Sequence, residues 1–271
     1  MSLSGDPITH GRDDPSPTGV YGAGTYGRAF ADVYDEWYER VSDVEATTAL
    51  ITDLAAAVGG DAPILELGVG TGRLALPLVD AGHRVHGIDA SPEMLSLLAN
   101  RDPSGTVVTH LGDMGRTLPP GPFSVVFAAY NTFFNLVEPG SQRSCLTMIS
   151  ERLVRGGNLV IEAFTPVRHD RRGEAPRTRG VEERPASDGG RVLIATIEDP
   201  DEQTITGQHI HVTTTGGTVL RPWRIRYLYP EQLDTMADGL GLEPVHRWAD
   251  WDRSPFGEDS PRHVSVYRKR I

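Results

Sequence analysis

The stretch Ile64–Leu74, ILELGVGTGRL, decides the fold. It begins after Pro63 as a short apolar run, the pattern of a strand buried on both faces, and then breaks into three glycines on alternate positions, Gly68, Gly70 and Gly72. From Leu74, the residues Ala75, Leu76, Leu78 and Val79 recur at helical spacing as far as Gly82, so the bend opens into a helix whose first N–H groups are free. Glycine in such a bend lets a ligand approach the backbone because no side chain intervenes. Strand, glycine bend and helix start together make the nucleotide-cradling corner of a doubly wound α/β sheet.

The spacing bears on the ligand. A dinucleotide fingerprint reads G-x-G-x-x-G, whereas Gly68-Val69-Gly70-Thr71-Gly72 is compressed to G-x-G-x-G and preceded by Glu66. An acid beside the bend suits a cationic ligand better than a diphosphate. At these residues the chain resembles the class I S-adenosylmethionine-dependent methyltransferases, whose first motif has the form E/D-x-G-x-G-x-G. The resemblance implies a Rossmann-like seven-stranded sheet and S-adenosylmethionine as methyl donor, with S-adenosylhomocysteine as its spent form. It also implies that Gly68, Gly70 and Gly72 surround the amino-acid portion of the donor, with Glu66 near its ammonium group. Two other readings of the same glycines are an NAD-type oxidoreductase corner and a packing turn with no ligand. A non-catalytic binding protein that kept the cofactor fold is a third.

Length and composition set the bounds. A chain of 271 residues suits one α/β domain with an insertion. Residues 1–24 read as a flexible leader, 25–60 as lid helices and 61–165 as the cofactor-binding core. Residues 166–229 read as a loop and antiparallel β insertion on the substrate side, and 230–271 as the last helix with closing strands. The leader is rich in Gly, Pro, Ser and Asp and has no apolar segment of the signal-peptide type. No run approaches a membrane span, so a cytoplasmic protein without a membrane partner is expected. A net charge of −11 works against nucleic-acid binding, which needs clustered Lys and Arg. A single cysteine, Cys145, leaves no internal disulfide and no thiol-based zinc site, and is expected inside a helix. Oligomeric state is not legible. From Arg168 to Arg184, arginines alternate with acids, Gly and Pro, which reads as a solvated loop rather than an anion site.

Along the chain, Tyr26 to Tyr38 sets Phe30, Tyr34, Trp37 and Tyr38 at helical spacing, and a second helical run covers Ala46 to Val58. The string A-D-V-Y-D-x-x-Y at Ala31–Tyr38 is similar to the start of nucleotide-amino-sugar N-methyltransferases, where a helix lids the cofactor. That likeness implies that Tyr34 and Tyr38 face the methyl donor, Tyr38 among the catalytic groups; core packing is the other reading. The basic segment that follows in those enzymes is replaced here by Glu39-Arg40-Val41-Ser42.

Arg84 to Asp89 is a second strand ending in an acid, about 20 residues beyond the bend, where a carboxylate can accept bonds from both ribose hydroxyls. Ser91 and Pro92 then open a helix as cap and first residue. The family resemblance puts Ala90 and Met94 beside the adenine, although Met94 is equally suited to core filling. A third strand, Thr106 to Leu111, leads to Asp113 and Met114, which are placed to bond the adenine edge. The fourth, Phe123 to Ala128, leads to Ala129-Tyr130-Asn131-Thr132-Phe133-Phe134 at the exposed end of the sheet. Here Ala129 is assigned to the cofactor, Tyr130 and Asn131 to the acceptor nucleophile, and Phe133 and Phe134 to the substrate or to the core.

Helix Gln142 to Leu153 precedes a fifth strand, Asn158 to Phe164, in which Glu162 either faces a cationic substrate or pairs with an arginine. Beyond it three strands, Arg191 to Ile197, Thr204 to Thr215 and Val219 to Tyr229, form the insertion. Arg224, Arg226 and Tyr227 are expected to wall the substrate pocket. His209 and His211 share a face but lack a third ligand, so no metal is assigned. The segments N-T-F-F at Asn131, R-Y-x-x-P-E-x-L-x-x-M-A-x-G-L from Arg226, and S-P-F…S-P-R-H-V-S-V-Y from Ser254 resemble methyltransferases that dimethylate the N-terminal amine of ribosomal peptides of the linaridin and daptide classes. The implied reaction is methylation of an amine on a peptide terminus or small metabolite. Small-molecule O-methylation, with His209 or His211 as base, is the alternative.

Overall fold

Strands buried on both faces must be covered by helices on both faces, and this requirement organises the chain. The computed structural model describes residues 21–38, 43–168 and 179–271. Residues 1–20 of the expected leader, the Glu39–Ser42 replacement and residues 169–178 of the arginine-rich stretch lie outside these. In order, α1 (Thr25–Phe30), α2 (Tyr34–Tyr38) and α3 (Val44–Val58) precede β1 (Ile64–Leu67), α4 (Ala75–Asp80), β2 (Val85–Asp89) and α5 (Pro92–Arg101). There follow β3 (Val107–Leu111), β4 (Phe123–Ala128), a 3-10 turn (Thr132–Asn135), α6 (Ser141–Arg152) and β5 (Leu153–Phe164). The four strands β6 (Arg179–Pro185), β7 (Arg191–Asp199), β8 (Thr204–Val212) and β9 (Thr218–Arg226) come next, and α7 (Pro230–Asp238), β10 (Leu242–Trp248) and β11 (Arg262–Lys269) close the chain.

The main sheet has seven strands in the order β3-β2-β1-β4-β5-β11-β10, the Rossmann-like arrangement of the expected class. The first five are parallel, while β11 runs antiparallel to β5 and β10 antiparallel to β11. Every residue of β1 and of β4 is buried, as their largely apolar sequences require, Glu66 and Ser124 included. One face packs Leu50, Ile51 and Leu54 of α3 with Leu98 of α5 onto Val125, Phe127 and Val160. The other packs Cys145, Leu146 and Ile149 of α6 with Leu233 and Ala237 of α7. Because α3 covers a sheet face, the lid expected over residues 25–60 reduces to the two short helices α1 and α2.

Two expectations change here. The insertion between β5 and α7 is a separate antiparallel sheet of four strands, not three, ordered β6-β7-β8-β9. Its additional edge strand, β6, comes from the arginine-rich stretch read as a loop; Val181, Glu183 and Pro185 alternate with Glu182 and Arg184 as it pairs with β7. Phe133 and Phe134, assigned to the substrate, lie in the 3-10 turn with no exposed surface, packed into the α6 face of the core. The short turn directs both rings under the sheet end instead of out of it. Replacing Phe134 by Ala should therefore lower unfolding free energy by about 3–5 kcal/mol in urea titration, the range for a deleted core ring.

Candidate active site

The corner after β1 is held by one carboxylate. Gly68 and Val69 donate their N–H groups to the Ile88 carbonyl at 2.8 and 3.1 Å. Asp89, at the tip of β2, accepts the Gly70 N–H at 2.9 Å on Oδ2 and the Ser91 N–H at 2.9 Å on Oδ1. Ser91 caps α5 by accepting the Met94 N–H. Gly70 has a φ of +54°, and an added Cβ would meet nothing closer than 3.9 Å, so its missing side chain leaves a ligand-sized space beside Tyr34. Gly72 differs: a Cβ there would strike Leu98 Cδ1 at 2.2 Å, which makes it a packing glycine between bend and α5 rather than a ligand contact.

A cleft open to solvent lies over this corner and is lined by Gly68, Gly70, Asp89, Ala90, Met94 and Asp113. Tyr34 and Met114 also reach it. Glu66, one step back on β1, is 4 % exposed, and its Oε2 has no hydrogen-bond partner. Burial drives its carboxyl well above the usual carboxylate range, with Arg73 opposing and the Asp89 charge adding. Burial likewise raises Asp89, against the bonds from Ser91 and Gly70. Sequence reasoning missed Tyr26, Gly27 and Thr132, which also line the cavity. Their only signal is position: Gly27 sits on the first aromatic helix, and Thr132 lies in the turn after β4, where its methyl closes against Gly68.

Tyr26 and Tyr34 line the cavity, and Tyr38 and Tyr130 stand behind them. Tyr34 and Tyr38 rings lie 5.0 Å apart, Tyr38 and Tyr130 5.5 Å apart, and Tyr26 stacks on Phe30 at 4.6 Å. Burial raises all four phenols, Tyr34 to about 12. None ionises near neutral pH. The lid is braced on two sides. Asp35 of α2 accepts the Thr71 hydroxyl at 2.6 Å and pairs with Arg101 of α5 at 3.1 Å. Asp32, between the lid helices, forms a two-point pair with Arg221 of β9 at 2.5 and 2.8 Å.

The remaining expected site residues divide. Tyr130 and Asn131 have consecutive left-handed backbones, φ of +51° and +59°, a costly conformation often found at functional turns. Glu162, almost fully buried, supports that turn by accepting the Tyr130 N–H at 2.7 Å, and lies 3.7 Å from Arg262. Asn131 turns its Oδ1 back to accept the Phe164 N–H at 2.7 Å, so its carbonyl oxygen belongs to the turn rather than to an acceptor. Ala129 is buried below the turn and is not among the cavity-lining residues. Arg226 donates to the Val137 and Glu202 carbonyls, Tyr227 is buried with its hydroxyl on Glu198, and Arg224 is exposed. These three do not wall the cavity; Arg221 and Trp223, on the opposite face of β9, approach the lid instead. His209 packs against Phe30 and Trp37, and His211 bonds Asp188. Among the described residues, no group of three or more His, Cys, Asp or Glu side chains could hold a metal ion.

Residues 64–157 match the family described as "Methyltransferase domain". The CcbJ methyltransferase of Streptomyces caelestis is 38% identical, with a TM-score of 0.81, over 93% of this chain and 100% of that one. The chain belongs to the S-adenosylmethionine-dependent methyltransferases. A cypemycin N-terminal methyltransferase of a Streptomyces species is 31% identical over 155 residues, 54% of this chain and 62% of that protein. CalS10 of Micromonospora echinaspora, an amino pentose methyltransferase solved with S-adenosylmethionine, is 21% identical with a TM-score of 0.65 over 88% of this chain and 96% of that one, a likeness of fold. The cofactor of this methyltransferase is S-adenosylmethionine, and the corner suits it: a buried Glu66 oxygen next to the bend lacks a hydrogen-bond donor, and Gly70 leaves the main chain bare. No helix among the described residues is long and apolar enough to cross a membrane. Replacing Asn131 by Ala leaves the Phe164 amide without its acceptor. The expected loss is about 1–3 kcal/mol of unfolding free energy, measured in urea.

Proposed function

We propose that this methyltransferase acts on an amine, at a natural-product peptide N-terminus or on a small metabolite. The observation that carries this reading is the tyrosine cluster: Tyr26 and Tyr34 line the cavity, Tyr38 and Tyr130 continue from them by ring contacts, and burial keeps all four protonated. A hydroxyl acceptor has to surrender its proton to a base as it reacts, whereas a neutral amine attacks with its own lone pair. His209 and His211 stand on the small sheet, the first behind Phe30 and Trp37, the second engaged with Asp188. Neither lines the cavity. Phenol oxygens can accept a hydrogen bond from the amine and orient it without taking its proton. The cypemycin and CalS10 relatives, named for a peptide N-terminus and an amino pentose, support the same acceptor class.

Bound S-adenosylmethionine supplies an electrophilic methyl group on a sulfonium. Within this reading, Glu66 takes the ammonium of the donor's amino-acid portion and Gly68 and Gly70 let it lie against the backbone. Each Asp89 oxygen, already bonded to one backbone N–H, has a second acceptor direction for a ribose hydroxyl. Met94 packs on the base, Asp113 accepts from its amino group and the Met114 N–H donates to the ring. The lid residues Tyr34 and Tyr38 exclude water and present electron-rich ring faces to the positive charge. Positioning of this kind contributes up to about 7–11 kcal/mol in well-oriented systems.

The acceptor class is tested by incubating the protein with methyl-labelled S-adenosylmethionine and peptides carrying free or acetylated N-termini, or an N-terminal hydroxy acid. Label on nitrogen, lost on acetylation, is expected; label on oxygen overturns the reading. Glu66 gives a second test. Its proton is retained above the usual carboxylate range in the free protein, and an ammonium beside it lowers that affinity. The bound state therefore holds fewer protons, so S-adenosylhomocysteine should bind more tightly as pH rises through the carboxyl's raised pKa, then level off. Calorimetry in buffers of differing ionisation enthalpy should detect proton release on binding that disappears in Glu66→Gln.

A further inference from the structure

Beyond the tyrosine cluster lies a cationic and aromatic patch that the cofactor does not need. It is built on the face of the small sheet that meets the lid, where cross-strand pairing sets Arg184, Val192 and His211 in one row and Glu182, Ile194, His209 and Arg221 in the next. Trp37 of the lid packs onto this face. The Arg184 guanidinium lies 4.4 Å from the Trp37 ring centre, and that of Arg221 lies 5.4 Å from it. His209 is 5.9 Å from the same ring and 6.3 Å from Trp223. Both arginines are near enough to Tyr38 to affect its hydroxyl, and Tyr38 touches Tyr130. The patch therefore adjoins the point where an acceptor must present its nucleophile.

Its polar groups are incompletely matched. Arg221, 4 % exposed, is neutralised by Asp32, yet its Nε has no partner. His209, 7 % exposed, has an unpartnered Nδ1. Burial and the two arginines hold its ring neutral, with a pKa of about 4. The Nε of Arg184 and the Nε1 of Trp223 are also buried without acceptors. Glu182 lies in the adjoining row but is exposed, and among the described residues no carboxylate is ion-paired with Arg184. A guanidinium stacked on an indole offers its N–H edge in one plane, which matches two oxygens of a planar carboxylate.

We propose that Arg184, seated on Trp37, is the acceptor-specificity residue, and that the amine-bearing acceptor also carries a carboxylate which docks there. This rests on the amine-transfer reading and adds the second functional group of the substrate. The patch fits the charge of such an acceptor: its carboxylate docks on Arg184, and its amine, having released its proton to solvent before docking, meets the tyrosines.

Three probes with the same ring and amine test it: L-phenylalanine, L-phenylalaninamide and 2-phenylethylamine, each titrated by calorimetry into the complex with S-adenosylhomocysteine. The acid should bind at least about tenfold more tightly than either companion, and Arg184→Gln should remove that preference while leaving the affinity for S-adenosylhomocysteine unchanged. Arg184→Lys should restore part of it. Absence of any preference for the acid, or a preference that survives in Arg184→Gln, overturns the proposal. Retained S-adenosylhomocysteine binding in the variant shows that it is folded. Transfer of label to nitrogen is read in a separate assay, so loss of the carboxylate site and loss of the amine reading remain distinct results.

Discussion

The Asp89 carboxylate is the joint on which the site depends. By accepting one N–H from Gly70 and one from Ser91, it ties the bend after β1 to the tip of β2 and to the first turn of α5. Burial of a carboxylate is costly unless charge-assisted bonds replace water, and here backbone donors supply them. The same two bonds hold Gly70 in a left-handed conformation and orient α5, so that Met94 and the cavity floor follow from them. It acts beside the Gly68 and Val69 bonds to the Ile88 carbonyl and the packing of Gly72 on Leu98, which join the same elements.

The lid stands on less even supports. The Asp35–Arg101 pair is half exposed, and pairs of that kind contribute about 0–1 kcal/mol; the direct Thr71–Asp35 hydrogen bond adds to it. On the other side Arg221 is nearly buried and meets both oxygens of Asp32 as well as the Ala29 carbonyl. A two-point pair with one desolvated partner resists separation more strongly than an exposed one. The short helices α1 and α2 are thus fastened more firmly to the small sheet than to the core, although that sheet shares no strand with the main one. It holds these helices through Arg221 and sets Arg184 and Arg221 against Trp37.

How much was readable depended on whether a residue's role is local. The Gly68–Gly70 bend, Ser91 as cap, the acid ending β2 and the largely apolar β4 all follow from neighbours a few positions away. Gly72 was misassigned because the sequence shows a glycine but not Leu98, which arrives from another helix. Phe133 and Phe134 follow a strand tip and so look exposed, yet a 3-10 turn sends them under the sheet. On β9 the error was one of parity: successive side chains face opposite ways, so assigning Arg224 and Arg226 to the pocket placed the wrong face inward. The edge strand β6 was hidden because charges and proline read equally as a loop or as a protected sheet edge.

The sequence by itself determined the class of the sheet and the position of its glycine corner, because periodicity and short spacings are properties of contiguous residues; the methyl donor followed from the resemblance of that corner to a known family. Only the tertiary structure decided which side chains stand together beyond the cofactor corner. Tyr38, Tyr130, Trp37 and Arg184 come from distant parts of the chain, and what brings them together is the docking of α1 and α2 on a second sheet, a contact that no local pattern encodes.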